Sequence, residues 1–315
     1  MKELHQPHDR FFRAVFSDLD SVRDLLRNSL PPQIIQMLDL DSIELSTDSF
    51  IDERLSLYQS DILIRVRTRS SPVLIYVLVD HKSYPDRWAV LQLLVYMVRI
   101  WEHELSQHKK LKKLPCLIPV VFYHGARKWV YPLNFASYVD GTNELKAYIP
   151  DFQTLMFNLQ SMDLGSLQGG IAFQVALRAF KHAGRELRSH LDEMLMSVSK
   201  LPTDAKTKAF LSRLFEYILK VGGDFNVAVV EEELQSVESD VSREGFMTLE
   251  EQIMERGTIR DKQQILLRLL EKKFGPLDDD NKQNILDNTN REKLDSAIDL
   301  ILDAESIMEV LSPLR

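Results

Sequence analysis

The stretch Val73-Leu74-Ile75-Tyr76-Val77-Leu78-Val79-Asp80-His81-Lys82 is an apolar run that ends abruptly in an acid and a base. Ser70-Ser71-Pro72 breaks the chain before it and Pro85 follows, so the run reads as a central strand covered on both faces. Side chains alternate along a strand, which puts Asp80 and Lys82 on one face and His81 on the other. A carboxylate and an ammonium together at the polar end of a buried strand suggest a metal-dependent hydrolytic centre. Taken alone, Asp-x-Lys reads more readily as a strand end reaching water.

Working outward, Asp61 to Thr68 alternates, with Ile62, Ile64 and Val66 facing one way and Asp61, Leu63, Arg65 and Arg67 the other. Arg69-Ser70-Ser71-Pro72 is short enough for a hairpin turn, so the two strands are expected to pair antiparallel. That pairing brings Asp61 beside Asp80 and Lys82. From Trp88 to about Leu105, Trp88, Leu91, Leu94, Val95, Val98 and Trp101 predict an amphipathic helix, on which Gln92, Tyr96 and Arg99 share a stripe. The β-rich segment Leu114 to Tyr123, closed by His124-Gly125, then makes a strand-helix-strand crossover with parallel outer strands. Cys116 within it reads as core packing.

The remaining chain bounds the possibilities. With 315 residues and 44% hydrophobic content, the sequence suffices for one large domain or two ordinary ones. A single cysteine excludes an internal disulfide framework and any zinc site needing several thiolates. His103 and His108 are five apart, which places them on different helical faces and rules out a zincin pair. Apolar runs fall short of the roughly 18 to 20 residues of a membrane span, and the start lacks a signal-peptide core, so no membrane and a cytoplasmic location are expected.

The net charge of -8 argues against a protein that coats nucleic acid with its whole surface. Local basic patches exist at Arg65, Arg67 and Arg69 and at His108 to Lys113, including Lys109 and Lys110; the latter run reads equally as a solvated loop.

Helical periodicity covers His8 to about Leu30 with a break near Ser17 to Asp20. An edge strand is expected between Ser42 and Tyr58. Helical segments are expected at Leu155 to Leu159, Gly170 to Lys181 and Glu186 to Ser197. Leu201-Pro202-Thr203-Asp204 reads as a linker and cap, dividing the chain into 1–200 and an all-helical 201–315, with helices at Lys206 to Val221, Leu249 to Phe274 and Lys293 to Leu311.

The hairpin and helix together give Asp61-x18-Asp80-x-Lys82 followed by Gln92. Asp61 and Asp80 suit Mg2+, a hard ion that keeps several waters, with Mn2+ as a substitute. The backbone carbonyl of His81 offers a further ligand. Lys82 can orient a water and stabilise negative charge on phosphate. Asp9 reads as a helix cap or a supporting acid.

This strand-turn-strand-helix order resembles the PD-(D/E)xK nuclease superfamily, an α/β restriction-endonuclease-like core of mixed sheet flanked by helices. The resemblance narrows with five ordered motifs: Pro7-His8-Asp9-Arg10-Phe11-Phe12-Arg13-Ala14-Val15-Phe16-Ser17-Asp18, Ser60-Asp61-Ile62-Leu63, Val79-Asp80-His81-Lys82-Ser83, Gln92-Leu93-Leu94-Val95-Tyr96-Met97 and Leu117-Ile118-Pro119-Val120-Val121-Phe122-Tyr123-His124-Gly125. These, with Gln264 to Gly275 and Asp303-Ala304-Glu305-Ser306, resemble the recombination-promoting nuclease family, also labelled YhgA-like transposases. The likeness implies a Mg2+-dependent DNA endonuclease that promotes recA-independent recombination, with a role in phage defence in related systems. Asp61, Asp80, Lys82 and Gln92 would be its catalytic set, and Arg65, Arg67, Arg99, Lys109 and Lys110 its DNA contacts. The helical C-terminal region would form a homo-dimer. One departure is Asp80, where the family more usually carries Glu. A catalytically inactive scaffold that binds DNA or protein is the alternative.

Overall fold

The computed structural model describes residues 7–46, 62–70, 74–141, 143–184, 186–222, 227–236, 240–301 and 304–314. Its first helix, α1 (Pro7–Phe16), starts on a proline, whose fixed φ and missing amide suit a helix start. Phe11, Phe12, Val15 and Phe16 form its buried stripe. Asp18 ends the first helix's run by capping α2 (Leu19–Ser29), its side chain accepting from the amide of Ser21 at 3.2 Å. The expected break therefore has a capping residue as its cause. Pro31-Pro32 stops α2 and opens the short α3 (Pro32–Met37).

Among the described residues five strands follow in the sheet order β1-β2-β3-β4-β5. The edge strand β1 (Leu38–Leu45) pairs antiparallel with β2 (Ile62–Thr68), and β2 pairs antiparallel with β3 (Leu74–Lys82). β3 and β4 (Cys116–Tyr123) are parallel, joined by α4 (Ala89–Gln107). The antiparallel hairpin and the parallel crossover are both as the sequence predicts. The edge strand lies earlier than expected, since β1 begins at Leu38 and only its second half overlaps the region from Ser42.

Three expectations are corrected. Leu155 to Leu159 is not helical: β5 (Leu155–Asn158) is a parallel strand on the open edge of β4, with Phe157 1% exposed. An apolar run this short fits either period, and the free strand edge decides it.

Second, α4 buries Ala89, Val90, Leu93, Tyr96, Met97, Ile100 and Glu104, whereas Trp88, Leu91, Val95 and Val98 of the expected core stripe are exposed. The helix is apolar on two faces, and the sheet takes the one that carries Tyr96.

Third, Cys116 is exposed, because it opens β4 before that strand passes under cover.

Helices line both faces of the sheet. Leu93, Tyr96, Met97 and Ile100 of α4 pack with Leu63, Leu117, Val121 and Tyr123. The other face is aromatic: Phe12 lies 4.7 Å from Phe16, 4.6 Å from His81 and 5.1 Å from Phe122, ring centre to ring centre. α5 (Ile171–Lys181), α6 (Leu191–Val198) and α7 (Ala205–Val221) complete that layer, with α7 packed on α1 and Asp204 capping it through the amide of Thr207. α8 (Val227–Ser236) follows.

The chain divides into two compact units, Met1–Gly245 and Phe246–Arg315, with the boundary inside α9 (Asp240–Phe274). The sequence reading placed its division at 200/201. The second unit is all helical among the described residues, as expected. Leu266 and Leu270 pack with Ile285 of α10 (Asp279–Asp287), Leu294 and Ala297 of α11 (Arg291–Leu300) and Val310 of α12 (Ile307–Val310).

Candidate active site

β3 delivers Asp80, His81 and Lys82 from the core, and all three are buried, at 1%, 4% and 7% exposure. Strand alternation divides them as expected. Asp80 and Lys82 lie on the α4 face, because their register partners Val121 and Tyr123 do. Nζ of Lys82 lies 3.3 Å from Oδ2 of Asp80, 3.5 Å from Oδ2 of Asp86 and 2.7 Å from Oε1 of Gln92. Nε2 of Gln92 in turn donates to the hydroxyl of Tyr96 at 2.7 Å. An ammonium only donates, so Gln92 must turn its oxygen to Lys82 and its amino group to Tyr96. The result is one polar chain, Asp80–Lys82–Gln92–Tyr96, spanning the strand end and the first turns of α4.

Taking two charges out of water costs more than an isolated pair returns, so a buried cation needs several acceptors. Lys82 has a carboxylate on two sides and an amide oxygen on a third. This geometry holds the ammonium fixed at the mouth of the strand end, where it can orient a water or neutralise an anionic group.

His81 points to the opposite, aromatic face. Its Nδ1 lies 3.0 Å from Oδ1 of Asp9, and its ring stacks on Phe12 and, at 4.9 Å and 11°, on His124. His124 donates from Nδ1 to the carbonyl of Phe180 at 3.3 Å and touches His8 at 4.8 Å. His8 lies 2.8 Å from the hydroxyl of Tyr217. Burial pushes the His8 imidazole down to about 4, helped by the neighbouring His81, while Asp9 opposes the shift. His124 is held well below the ordinary imidazole range, again first by burial. Burial also raises the Tyr217 phenol well above its usual value, so its proton stays on.

Asp61 lies outside the described residues. Ile62, which follows it, pairs with Val79, which precedes Asp80. Gln92 lies beside Lys82, its Oε1 2.7 Å from Nζ. Asp9 sits inside the first turn of α1 rather than before it, and its carboxylate is engaged with His81 on the other face of β3 from Lys82.

The basic residues expected at DNA are spread out. Arg65 and Arg67 stand opposite Glu44 and Asp39 in the β1–β2 register, and Arg99 pairs with Glu102 at 2.9 Å. Lys109 and Lys110 are exposed just past the C-terminal end of α4, about 26 Å along the helix from Gln92.

Asp86 and the bond from Gln92 to Tyr96 were not singled out by the sequence. The spacing of four between Lys82 and Asp86, and between Gln92 and Tyr96, is the only signal for them.

Among the described residues no three Asp, Glu, His or Cys side chains converge on a metal position. Mg2+ does not require such a cage, since it binds through one or two carboxylates, its own waters and a substrate phosphate. Asp80, a buried carboxylate at the strand end, is an oxygen donor of that kind, so its chemistry fits the ion.

The family model described as "Putative transposase, YhgA-like" matches residues 6–209. The chain is similar to the recombination-promoting nuclease RpnD of Escherichia coli O157:H7, 30% identical over 251 residues, which is 78% of this chain and 94% of that protein. It is 27% identical over 266 residues to the recombination-promoting nuclease RpnA of Escherichia coli K12, covering 81% of this chain and 86% of the other. It is also 26% identical over 255 residues to the "Inactive recombination-promoting nuclease-like protein RpnE" of the same strain, covering 80% and 82%. No solved structure matches the chain. Among the described residues no helix is long and apolar enough to cross a membrane.

Proposed function

Because the chain belongs to the YhgA-like transposase family, which takes in the recombination-promoting nucleases, we propose that it is a Mg2+-dependent DNA endonuclease acting in recombination. The observation that carries this reading is the buried Asp80–Lys82 pair, extended through Gln92 to Tyr96 at the end of a central strand. Asp80 and Asp61 would hold the ion, with the His81 carbonyl as a further ligand and Mn2+ as a substitute. Bound there, the ion would lower the pKa of a water and neutralise phosphate charge.

The protein's own groups account for the rest. Lys82, held by Asp80, Asp86 and Gln92, has an acceptor for each of its three N–H donors, so it would act on the attacking water or a non-bridging phosphate oxygen through its charge or by exchanging one of these acceptors for it. Gln92 and Tyr96 hold that ammonium in place and are positioning residues. Arg65, Arg67, Arg99, Lys109 and Lys110 are the proposed backbone contacts, and their binding should weaken as salt rises.

The test is nicking of supercoiled plasmid with and without Mg2+, comparing wild type with Asp80→Asn and Lys82→Ala. Both variants should be inactive while still melting cooperatively. Cleavage that persists in both, or that ignores chelation, sinks the assigned site.

A second reading, an inactive nuclease-fold scaffold, is favoured by the relative named as inactive, which matches most of this chain. It predicts DNA binding by the wild type without nicking and without calorimetric Mg2+ uptake.

A further inference from the structure

The second apolar face of α4 has a regular pattern that the sheet does not use. Residues 88, 91, 95, 98, 102 and 105 are spaced 3-4-3-4-3, the a and d positions of a heptad, and all but Glu102 are apolar. Trp88, Leu91, Val95, Val98 and Leu105 are each 40–50% exposed. The residues buried against the sheet, among them Val90, Leu93, Met97 and Ile100, fall at b, c and f, on the far side of the helix. Core packing therefore does not require the heptad. Over the roughly 26 Å from Trp88 to Leu105, contiguous exposed apolar surface of this kind marks an interaction site.

We propose that this stripe is a homodimer interface, in which α4 pairs antiparallel with α4 of a second copy about a two-fold axis between Val95 and Val98. The occupant follows from self-complementarity. In that register Val95 meets the second copy's Val98, Trp88 meets its Leu105, and Leu91 meets the aliphatic stem of its Glu102, whose carboxylate turns to the solvent edge. Small β-branched residues thus lie at the axis, where the backbones approach, and large ones at the ends.

The charges select the orientation. Parallel pairing sets Glu102 against Glu102 and brings the two Lys109–Lys113 runs together, which is repulsive. Antiparallel pairing moves each to the opposite end and aligns the helix dipoles favourably. The Arg99–Glu102 pair is exposed and adds little to stability, so both side chains are free to reorient across the pair. A stripe without Lys or Arg offers nothing to a phosphate backbone. This interface is distinct from the C-terminal region expected to mediate dimerisation, and it stands whether or not the site on the neighbouring stripe cleaves DNA.

The experiment is sedimentation equilibrium on the full chain, with the variant Val95→Glu/Val98→Glu. The wild type should be a dimer. The variant should raise the dimer dissociation constant roughly 100-fold or more, because four carboxylates meet at the axis. A wild type that stays monomeric up to about 100 µM overturns the proposal, as does a dimer mass that survives the two glutamates and so belongs to another surface.

A disulfide test removes any doubt over folding of that variant. In a Cys116→Ser background, an equimolar pair of the single variants Val95→Cys and Val98→Cys, treated with oxidised glutathione, should cross-link faster than either single variant alone. Singles that cross-link as well as the pair, or a pair that does not cross-link, overturn the antiparallel interface.

Discussion

The amino group of Gln92 lies 2.7 Å from the hydroxyl of Tyr96, and this contact anchors the far end of the amide whose oxygen Lys82 meets. Without it Nε2 of Gln92 loses its partner, and the amide that holds Lys82 is less firmly placed. Tyr96→Phe leaves the ring packing against Leu93 and Met97 in place while removing that acceptor. Losing a partner for one buried N–H costs about 1–3 kcal/mol. If most of that appears as displacement of Lys82, plasmid nicking slows about tenfold. Gln92→Ala should slow it at least as much. A Tyr96→Phe protein that nicks at the wild-type rate would show that Tyr96 does not position Gln92.

How much of this was legible in the sequence depends on the range of each signal. The Asp80-x-Lys82 end of β3 was readable because a strand has period two and one apolar run names the core. The antiparallel partner was readable because four turn residues leave little choice. The face of α4 was not: Leu91, Val95 and Val98 score as well as Leu93, Met97 and Ile100, and only the sheet distinguishes them. The short β5 likewise waited for the edge of β4. Asp9 and His81, 72 residues apart, meet only through tertiary packing of α1 over β3. No local period announces such a pair.

That Asp9–His81 contact joins α1 to the strand bearing Asp80 and Lys82, and it should be measurable as stability. The imidazole is 4% exposed, so removing its carboxylate partner leaves a buried polar N–H unmatched. Asp9→Ala should lower unfolding free energy by about 1–3 kcal/mol in urea titration, whereas Asp9→Asn, which keeps an acceptor oxygen, should lose less. Equal losses in the two variants would mean that packing rather than the hydrogen bond sets the cost.

His8 makes stability pH-dependent in a definite direction. Its folded-state value of about 4 lies below the ordinary imidazole value near 6.5, chiefly through burial. The unfolded chain therefore binds this proton first as pH falls. The contribution is fully present above about pH 6.5, is lost progressively between about 6.5 and 4, and levels off below. A shift of this size corresponds to about 3 kcal/mol at full loss. His124, also depressed by burial, acts in the same sense. His8→Gln should flatten the decline in urea midpoint between pH 7 and pH 4.5. An unchanged slope in the variant would assign the acid sensitivity to other groups.

The last prediction concerns Gly125, which closes the strand beside the site. A Cβ built on it would lie 2.4 Å from the carbonyl oxygen of Ser83, 2.6 Å from the Tyr123 hydroxyl and 2.8 Å from Cε2 of the same ring. All are far inside contact distance, and one is backbone, which cannot swing aside as a side-chain tip can. Ser83 directly follows Lys82, and the Tyr123 hydroxyl is held by donating to the carbonyl of Arg127. Gly125→Ala must therefore push the segment after Lys82 or the turn after β4. The cost expected for such overpacking is about 1–3 kcal/mol. Because the displaced backbone carries the ammonium, nicking should fall more than the melting temperature alone accounts for. The measurement pairs thermal unfolding with nicking rates well below the melting point, where both proteins are folded. A variant with normal stability and normal nicking would mean that the Ser83 carbonyl yields freely and that the turn does not hold Lys82 in position.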